Sequence, residues 1–135
     1  MAAGLAGFTH VLTAEAIERM NARGDALRRR LNELADRHGV PLQATGVGSI
    51  FGLHFLRGPI RNTDDLAAAA HGREKEIAQL KSLFQLDMFE RGVYVTRRIM
   101  GNVSLANTDA DTDQFIAAFD EFLASRAALI HEAVA

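Results

Sequence analysis

Apolar residues recur every three or four positions in three long segments of the chain, which is the period of an amphipathic helix. The clearest stripe follows Thr13, a good N-cap, and ends before Gly39, which suits the position after a helix. A second stripe occupies residues 74–91, and a third follows the capping residue Thr108. Because Gly24 lies within the first stripe, we expect a neighbouring element to approach that helix closely there. The members of the first stripe are Ile17, Met20, Gly24, Leu27, Leu31 and Leu34.

The hydrophobic period changes to two over residues 42–55, which indicates one strand or two short strands bent at the intervening glycines. Residues 93–95, with the sequence Val-Tyr-Val, are predicted to form a short strand. Another strand is predicted at residues 102–106, because β-branched and apolar residues resume there. Residues 97–101 lie between these two segments and are predicted to form a turn or loop.

The remaining segments complete a helix-rich chain. Residues 2–12 are apolar and are predicted to form a short helix. Residues 61–72 are predicted to be a loop with a short helix, because residues 62–65 offer good capping chemistry. The resulting order, α-α-β-(α)-α-β-β-α, predicts an α+β fold. It has a small antiparallel sheet of three to four strands with helices packed on one face.

Composition and charge exclude several classes of protein. The chain has 135 residues, 48% of them hydrophobic and 24% charged, which suits a single domain. A net charge of −2 argues against a nucleic-acid partner, since binding the phosphate backbone requires a positively charged surface. The absence of cysteine excludes disulfides, thiolate zinc sites and thiol nucleophiles. No apolar run is long enough to span a membrane, and no basic stretch precedes the apolar start, so a cytoplasmic location is expected.

Motifs for nucleotide binding, metal binding and serine catalysis are incomplete. The glycines of residues 46–52 are spaced one residue too widely for a dinucleotide fingerprint, so strand bends and close packing are the favoured interpretation. Neither Ser49 nor Ser104 lies in a nucleophile elbow. No two histidines have the i, i+4 spacing of a helical zinc site, so no metal site is predicted. The histidines are His10, His38, His54, His71 and His131.

Arg97 and Arg98 form the most suggestive pair. Two adjacent guanidinium groups in a turn could fork onto a carboxylate or a phosphate. Judged on spacing alone, a surface pair that serves solubility is the favoured interpretation. Lys75 and Lys81 are the only lysines, and neither has the apolar pocket or cationic neighbour that would activate a Schiff-base nucleophile. The residues by themselves therefore reveal no complete catalytic constellation.

Several stretches, in collinear order, resemble class III pyridoxal-phosphate-dependent aminotransferases, and most closely the branch of glutamate-1-semialdehyde aminomutase. No single stretch is diagnostic, but together they cover essentially the whole chain. The stretches are MAAGLA at residues 1–6, TAEAIERMN at 13–21, TGVGSIF at 45–51 with LHF at 53–55, ERGVY at 90–94 and NTDAD at 107–111.

The resemblance implies that residues 1–135 are a single domain, the C-terminal small domain of a fold-type I enzyme. In that family the Schiff-base lysine and the pyridoxal phosphate site belong to a large domain that would precede residue 1. Lys75 and Lys81 do not match the family's lysine motif, so no catalytic or cofactor-binding residue is expected here. Met1 aligns with a methionine internal to the family's sequences, so the chain looks like a fragment. The missing large domain would be its partner, in a homodimer.

One loop departs from the aminomutase pattern. In the aminomutase proper, the loop before the last strand carries a glutamate that approaches the substrate. Residues 96–101 contain no acid here, which argues against glutamate-1-semialdehyde as the substrate and leaves a β-amino acid as an alternative. Related transaminases place an arginine shortly before the last helix. That position falls near Ser104 in this chain, and no arginine occupies it. Arg98, and after it Arg97, are therefore the expected ligands of a substrate carboxylate.

Two functions follow as hypotheses. In the first, the chain is part of an aminotransferase or aminomutase, covers the active-site mouth and is inactive alone. In the second, it is a remnant of the family that acts as a non-enzymatic self-association or partner-binding module. The helix predicted at residues 2–12 would be part of the exposed face in that case.

Overall fold

Five α-helices and one three-stranded antiparallel sheet make up residues 2–134, the part of the chain that the computed structural model describes. The α+β class is thus confirmed, with three strands. Met1 lies outside the described residues, so the alignment of Met1 with an internal methionine of the family is not addressed by the structure. The elements are α1 (Ala2–Ala6), α2 (Ala14–Arg37), β1 (Gln43–Val47), β2 (Ile50–His54), α3 (Thr63–Ala70), α4 (Glu74–Glu90), β3 (Met100–Asn102) and α5 (Asp109–Val134).

The helix ends are those that the capping residues predict. Thr13 Oγ1 accepts a hydrogen bond from the Ala16 amide at 3.2 Å, and Gly39 follows α2 with φ +66°. The Asn62 side chain caps α3 by accepting from the Asp65 amide at 2.9 Å. Thr108 caps α5 and receives a reciprocal bond from Asp111, because the Thr108 amide donates to Asp111 Oδ2 at 2.7 Å.

Residues 42–55 form two strands, as the second of the two alternatives predicts. β1 pairs antiparallel with β2, and Val47 opposes Ile50 across a two-residue turn. Gly48 occupies the first turn position with φ +54°, the left-handed conformation that a tight hairpin favours. β2 also pairs with β3, so β2 is the central strand. Phe51 and Leu53 of β2 point into the core, whereas Ile50 is exposed.

The close approach predicted at Gly24 is made by this hairpin turn. A Cβ atom at Gly24 would overlap the Gly48 carbonyl oxygen and would lie 2.7 Å from the Ser49 Cα. The Asn21 side chain of α2 also accepts a hydrogen bond from the Ser49 amide at 3.1 Å. The glycine-rich segment therefore serves bends and close packing, the interpretation favoured from its spacing.

Two strand predictions are wrong. Residues 93–95 form no strand, because the end of α4 holds them: the Val93 amide donates to the Met88 carbonyl at 2.8 Å. The predicted strand at 102–106 instead lies at Met100–Asn102. Its end is set by Asn107, whose side chain accepts from the Ser104 amide at 2.8 Å and turns the chain toward α5.

The segment predicted as a helix at 2–12 is α-helical to Ala6 and continues as a π-helical segment over Gly7–Val11. None of these described residues is buried. Within residues 2–134, no helix has the length and hydropathy needed to cross a bilayer. The core lies instead where α2, α4 and α5 meet the sheet, around four fully buried phenylalanines: Phe55, Phe84, Phe119 and Phe122.

A buried ion-pair cluster joins α4 to α5 in a way that the sequence analysis missed. Asp87 is 3% exposed, and its carboxylate accepts from Arg91 Nε at 2.6 Å and from Arg126 Nε at 3.2 Å. The hydrogen bond to the Asp87 side chain is the main cause of a raised pKa of Arg91. The i, i+4 spacing of Asp87 and Arg91 on one helix is the sequence feature that could have indicated this ion pair.

Candidate functional site

Arg97 and Arg98 lie at the tip of a tight turn between α4 and β3. The Ile99 amide donates to the Thr96 carbonyl at 2.8 Å and closes the turn. The Thr96 hydroxyl donates to the Met100 carbonyl at 3.0 Å and ties the turn to the start of β3. Both arginine side chains are exposed to solvent. The turn therefore presents two adjacent guanidinium groups outward from an anchored backbone.

Ile99 fixes this turn at a cost in backbone strain. Its φ is +48°, in the left-handed region that a β-branched residue rarely adopts, and its side chain is 2% exposed. Such a conformation costs about 1–3 kcal/mol and persists only where the surroundings enforce it. Burial of the side chain and the bond from the Leu53 amide to the Ile99 carbonyl, at 3.1 Å, enforce it here. The direction of the arginine pair is thus set by the core.

Arg97 and Arg98 differ from most arginines of this chain in having no partner. Among residues 2–134, neither makes a hydrogen bond or an ion pair through its side chain. Eight other arginines are held by carboxylates or backbone carbonyls, namely Arg23, Arg28, Arg30, Arg57, Arg61, Arg73, Arg91 and Arg126. Adjacent and unpaired guanidinium groups are suited to bind a carboxylate or phosphate from outside this segment.

A cavity of about 470 Å³ begins beside the same turn. Thr96 and Ile99, which flank the arginine pair, are among its lining residues, and Phe51 and Phe115 form apolar walls. The rings of these two phenylalanines meet edge to face, with centroids 5.9 Å apart. Arg97 and Arg98 do not line the cavity. The turn and the cavity are therefore neighbours rather than one pocket.

The charged group on this cavity is a carboxylate. Asp111 is among the lining residues, and the backbone amide and then the hydroxyl of Thr108 lower the pKa of its carboxyl group. Asp111 is consequently ionised at neutral pH, which disfavours a phosphate group nearby. Neither Lys75 nor Lys81 lines the cavity. The described residues of this chain therefore do not fit pyridoxal phosphate, which needs a lysine and a cradle for its phosphate.

Two of the five histidines, His38 and His54, form side-chain hydrogen bonds within the described residues. His54 Nε2 lies 2.9 Å from Thr45 Oγ1, and burial, with a smaller contribution from Lys81, lowers the pKa of His54. His38 Nε2 lies 2.6 Å from Asp120 Oδ1. Within residues 2–134 no three residues of the metal-ligating types come together as a potential ion site.

The arginine pair could be identified from the sequence, but its surroundings could not. Neither the strained Ile99 nor the cavity beside the turn was predicted. The left-handed conformation of Ile99 has no signature in the sequence, because a β-branched residue rarely adopts it. The cavity depends on the relative placement of α2, β2 and α5, which contribute Leu27, Leu53 and Phe115.

Comparison with known proteins identifies relatives that are similar to this chain in sequence and fold. No family model matches the chain. The chain is 40% identical over 133 residues to the beta-phenylalanine transaminase of Variovorax paradoxus. It is 35% identical over 128 residues to the glutamate-1-semialdehyde 2,1-aminomutase of Chloroflexus aggregans. These alignments cover 98% and 89% of this chain, respectively, but 29% and 28% of the relatives.

A solved structure has the same fold. The crystal structure of the beta-phenylalanine aminotransferase from Variovorax paradoxus superposes with a TM-score of 0.85 at 38% identity. The match covers 95% of this chain and 28% of that one. The chain thus corresponds in sequence and fold to less than a third of an aminotransferase.

Proposed function

We propose that this chain is the C-terminal small domain of a class III pyridoxal-phosphate-dependent aminotransferase or aminomutase. The observation that supports this proposal is the match of 98% of the chain, at 40% identity, to 29% of beta-phenylalanine transaminase. The missing part would be the large domain that holds the Schiff-base lysine and the cofactor. The whole enzyme would be a cytoplasmic homodimer that transfers an amino group, and this domain would cover the mouth of its active site.

The role of this domain would be to recognise a substrate carboxylate, with Arg98 as the principal ligand and Arg97 as the second. Three features support this assignment: the exposed turn, the strained Ile99 that anchors it, and the lack of internal partners for either guanidinium group. A guanidinium group can donate two parallel hydrogen bonds to one carboxylate, which fixes orientation as well as charge.

The substrate would be a β-amino acid rather than glutamate-1-semialdehyde. The loop over residues 96–101 carries two arginines and no acid, whereas the aminomutase pattern places a glutamate there. The name of the relative at 40% identity, a beta-phenylalanine transaminase, supports the same choice.

The test is the substitution of Arg98 by alanine in the longer native enzyme. We expect kcat/KM for the amino acid substrate to fall about 10- to 100-fold, the value of one charge-assisted bidentate contact. Turnover of an amine with the same side chain but no carboxylate should not change. Arg29→Ala is the matched control, since Arg29 is an exposed arginine on α2 remote in sequence from the turn. An equal loss for both substrates would refute carboxylate recognition by Arg98.

Self-association is the second candidate function, and one observation favours it. Along α1 and the π-helical segment Gly7–Val11, Leu5 is 70% exposed and Phe8 is 75% exposed. Exposed apolar side chains on one segment suggest an interface. Sedimentation of the 135-residue chain and of its Phe8→Ser variant separates the two functions. Dimers that dissociate on Phe8→Ser support self-association, whereas monomers in both cases oppose it.

A further inference from the structure

Residues 93–96 have the side-chain pattern of a strand although they belong to no sheet. Val93 and Val95 are half-buried and pack against the core, whereas Tyr94 and Thr96 are exposed. This alternation with a period of two is that of an extended segment with one face on the core. The β-branched and aromatic sequence Val-Tyr-Val suits such a segment.

One edge of this segment is occupied by α4. The Val93 amide donates to the Met88 carbonyl at 2.8 Å, and the Val95 carbonyl accepts from Gln85 Nε2 at 3.0 Å. In an extended chain the backbone polar groups of alternate residues point to opposite edges. Residues 93 and 95 therefore direct their backbone groups toward α4, which pairs with the Val93 amide and the Val95 carbonyl but not with the Val93 carbonyl or the Val95 amide.

The other edge is open except at its last carbonyl. Within residues 2–134, the amide and the carbonyl of Tyr94 and the amide of Thr96 make no hydrogen bond, whereas the Thr96 carbonyl accepts from the Ile99 amide. These three groups lie on the side of the segment away from α4, because they belong to the intervening residues 94 and 96. An unpaired row of backbone donors and acceptors is a template for another strand.

The surroundings of this open edge would accommodate the side chains of an incoming strand. Residues 92–96 line the cavity of about 470 Å³, and so do the apolar rings of Phe51 and Phe115. Next to the edge, Tyr94 is 75% exposed and its ring lies 5.3 Å from that of Phe89, which is 45% exposed. Two exposed aromatic rings in contact are unusual on a free surface and typical of an interface.

We propose that residues 93–96 accept an extended strand from another part of the longer enzyme chain. That strand would donate to the Tyr94 carbonyl and accept from the Tyr94 and Thr96 amides, and it would place an apolar side chain in the cavity. This inference rests on the proposed function, which supplies the occupant: the relatives are more than three times as long as the matched region. Strand addition of this kind derives its affinity from main-chain hydrogen bonds.

Amide hydrogen exchange tests the proposal. Exchange is compared between the 135-residue chain and the native protein purified from its source. We expect the Tyr94 and Thr96 amides to exchange at least roughly a hundredfold more slowly in the longer native protein. The Val93 amide, which is bonded to Met88 in the described structure, is the internal control and should be protected in both. The Phe119 and Phe122 amides of α5 report that each sample is folded.

Each other outcome overturns the proposal in a recognisable way. Equal exchange of the Tyr94 and Thr96 amides in both proteins would refute strand addition while leaving the proposed function intact. Protection that rises with the concentration of the 135-residue chain would identify a second copy as the occupant instead. A native polypeptide of only 135 residues would remove the occupant and the proposed function together, and the intact mass reveals that case separately.

Discussion

Arg28 and Arg98 show how one residue type serves packing at one position and remains free at another. Arg28 is 12% exposed, donates to the Gly48 carbonyl at 2.5 Å and the Ile50 carbonyl at 3.1 Å, and pairs with Asp25. It therefore ties the hairpin to α2. Arg98 is exposed and has no partner among residues 2–134. Residue type and spacing alone do not separate these roles.

We predict that Arg28→Ala lowers the free energy of unfolding by about 1–3 kcal/mol, because two carbonyl groups lose a charged donor. Arg98→Ala should leave it unchanged within the error of the measurement, since surface substitutions without contacts have little effect. Urea unfolding of both variants provides the comparison. A destabilisation by Arg98→Ala as large as that by Arg28→Ala would show that Arg98 is structural.

His54 should make stability depend on pH below neutrality. Burial, and then Lys81, lower its pKa in the folded chain from 6.5. The unfolded chain therefore binds a proton first, and stability is lost as the pH falls through 6.5 toward the lowered value. Unfolding free energies measured at a series of pH values should show this loss. It should be absent from His54→Gln and retained in His10→Gln, and an unchanged pH profile in His54→Gln would contradict the assignment.

At the scale of elements, the helices could be predicted from the sequence, whereas the predictions for residues 93–95 and 102–106 as strands were wrong in existence and in position, respectively. Helix ends depend on local chemistry, so Thr13, Asn62 and Thr108 were sufficient to indicate them. A strand depends on a partner that is distant in sequence. The sequence therefore indicated the β character of residues 93–95 but not the absence of a paired strand within residues 2–134. It also placed β3 two residues too late, because the Asn107 turn that ends it is not a hydrophobic signal.

Gly24 offers the sharpest test of helix–hairpin packing. We predict that Gly24→Ala destabilises the chain by about 1–3 kcal/mol, because the new methyl group overlaps the Gly48 carbonyl. Gly4→Ala in α1 is the matched control, since a Cβ atom there meets nothing within 4 Å. Thermal unfolding of the two variants measures the difference. If Gly24→Ala proved as stable as Gly4→Ala, the hairpin could not pack on α2 as described.

At the scale of the whole molecule, the site could be predicted only in part. The arginine pair could be identified from the sequence, but only the structure shows that neither side chain has a partner among residues 2–134. The cavity was invisible because its walls come from α2, β2, α5 and the segment after α4, which are far apart in the chain. Among the described residues, the cavity is lined by one carboxylate, that of Asp111, and by no lysine, so it offers no site for pyridoxal phosphate.

We predict that the 135-residue chain has no transaminase activity. Under the proposed function the Schiff-base lysine would belong to the missing large domain, and neither Lys75 nor Lys81 lines the cavity. The purified chain is assayed with a β-amino acid, a keto acid acceptor and added pyridoxal phosphate. Robust turnover would show that the catalytic machinery has been assigned to the wrong part of the enzyme.

The most direct test of the central claim is the intact mass of the native polypeptide in its source cells, after capture with an antibody raised against this chain. We expect a polypeptide several-fold longer than 135 residues, since the relatives extend far beyond the matched region. These residues would then be one domain of a complete aminotransferase. A native polypeptide of only 135 residues would contradict the account and would favour a self-associating or partner-binding protein.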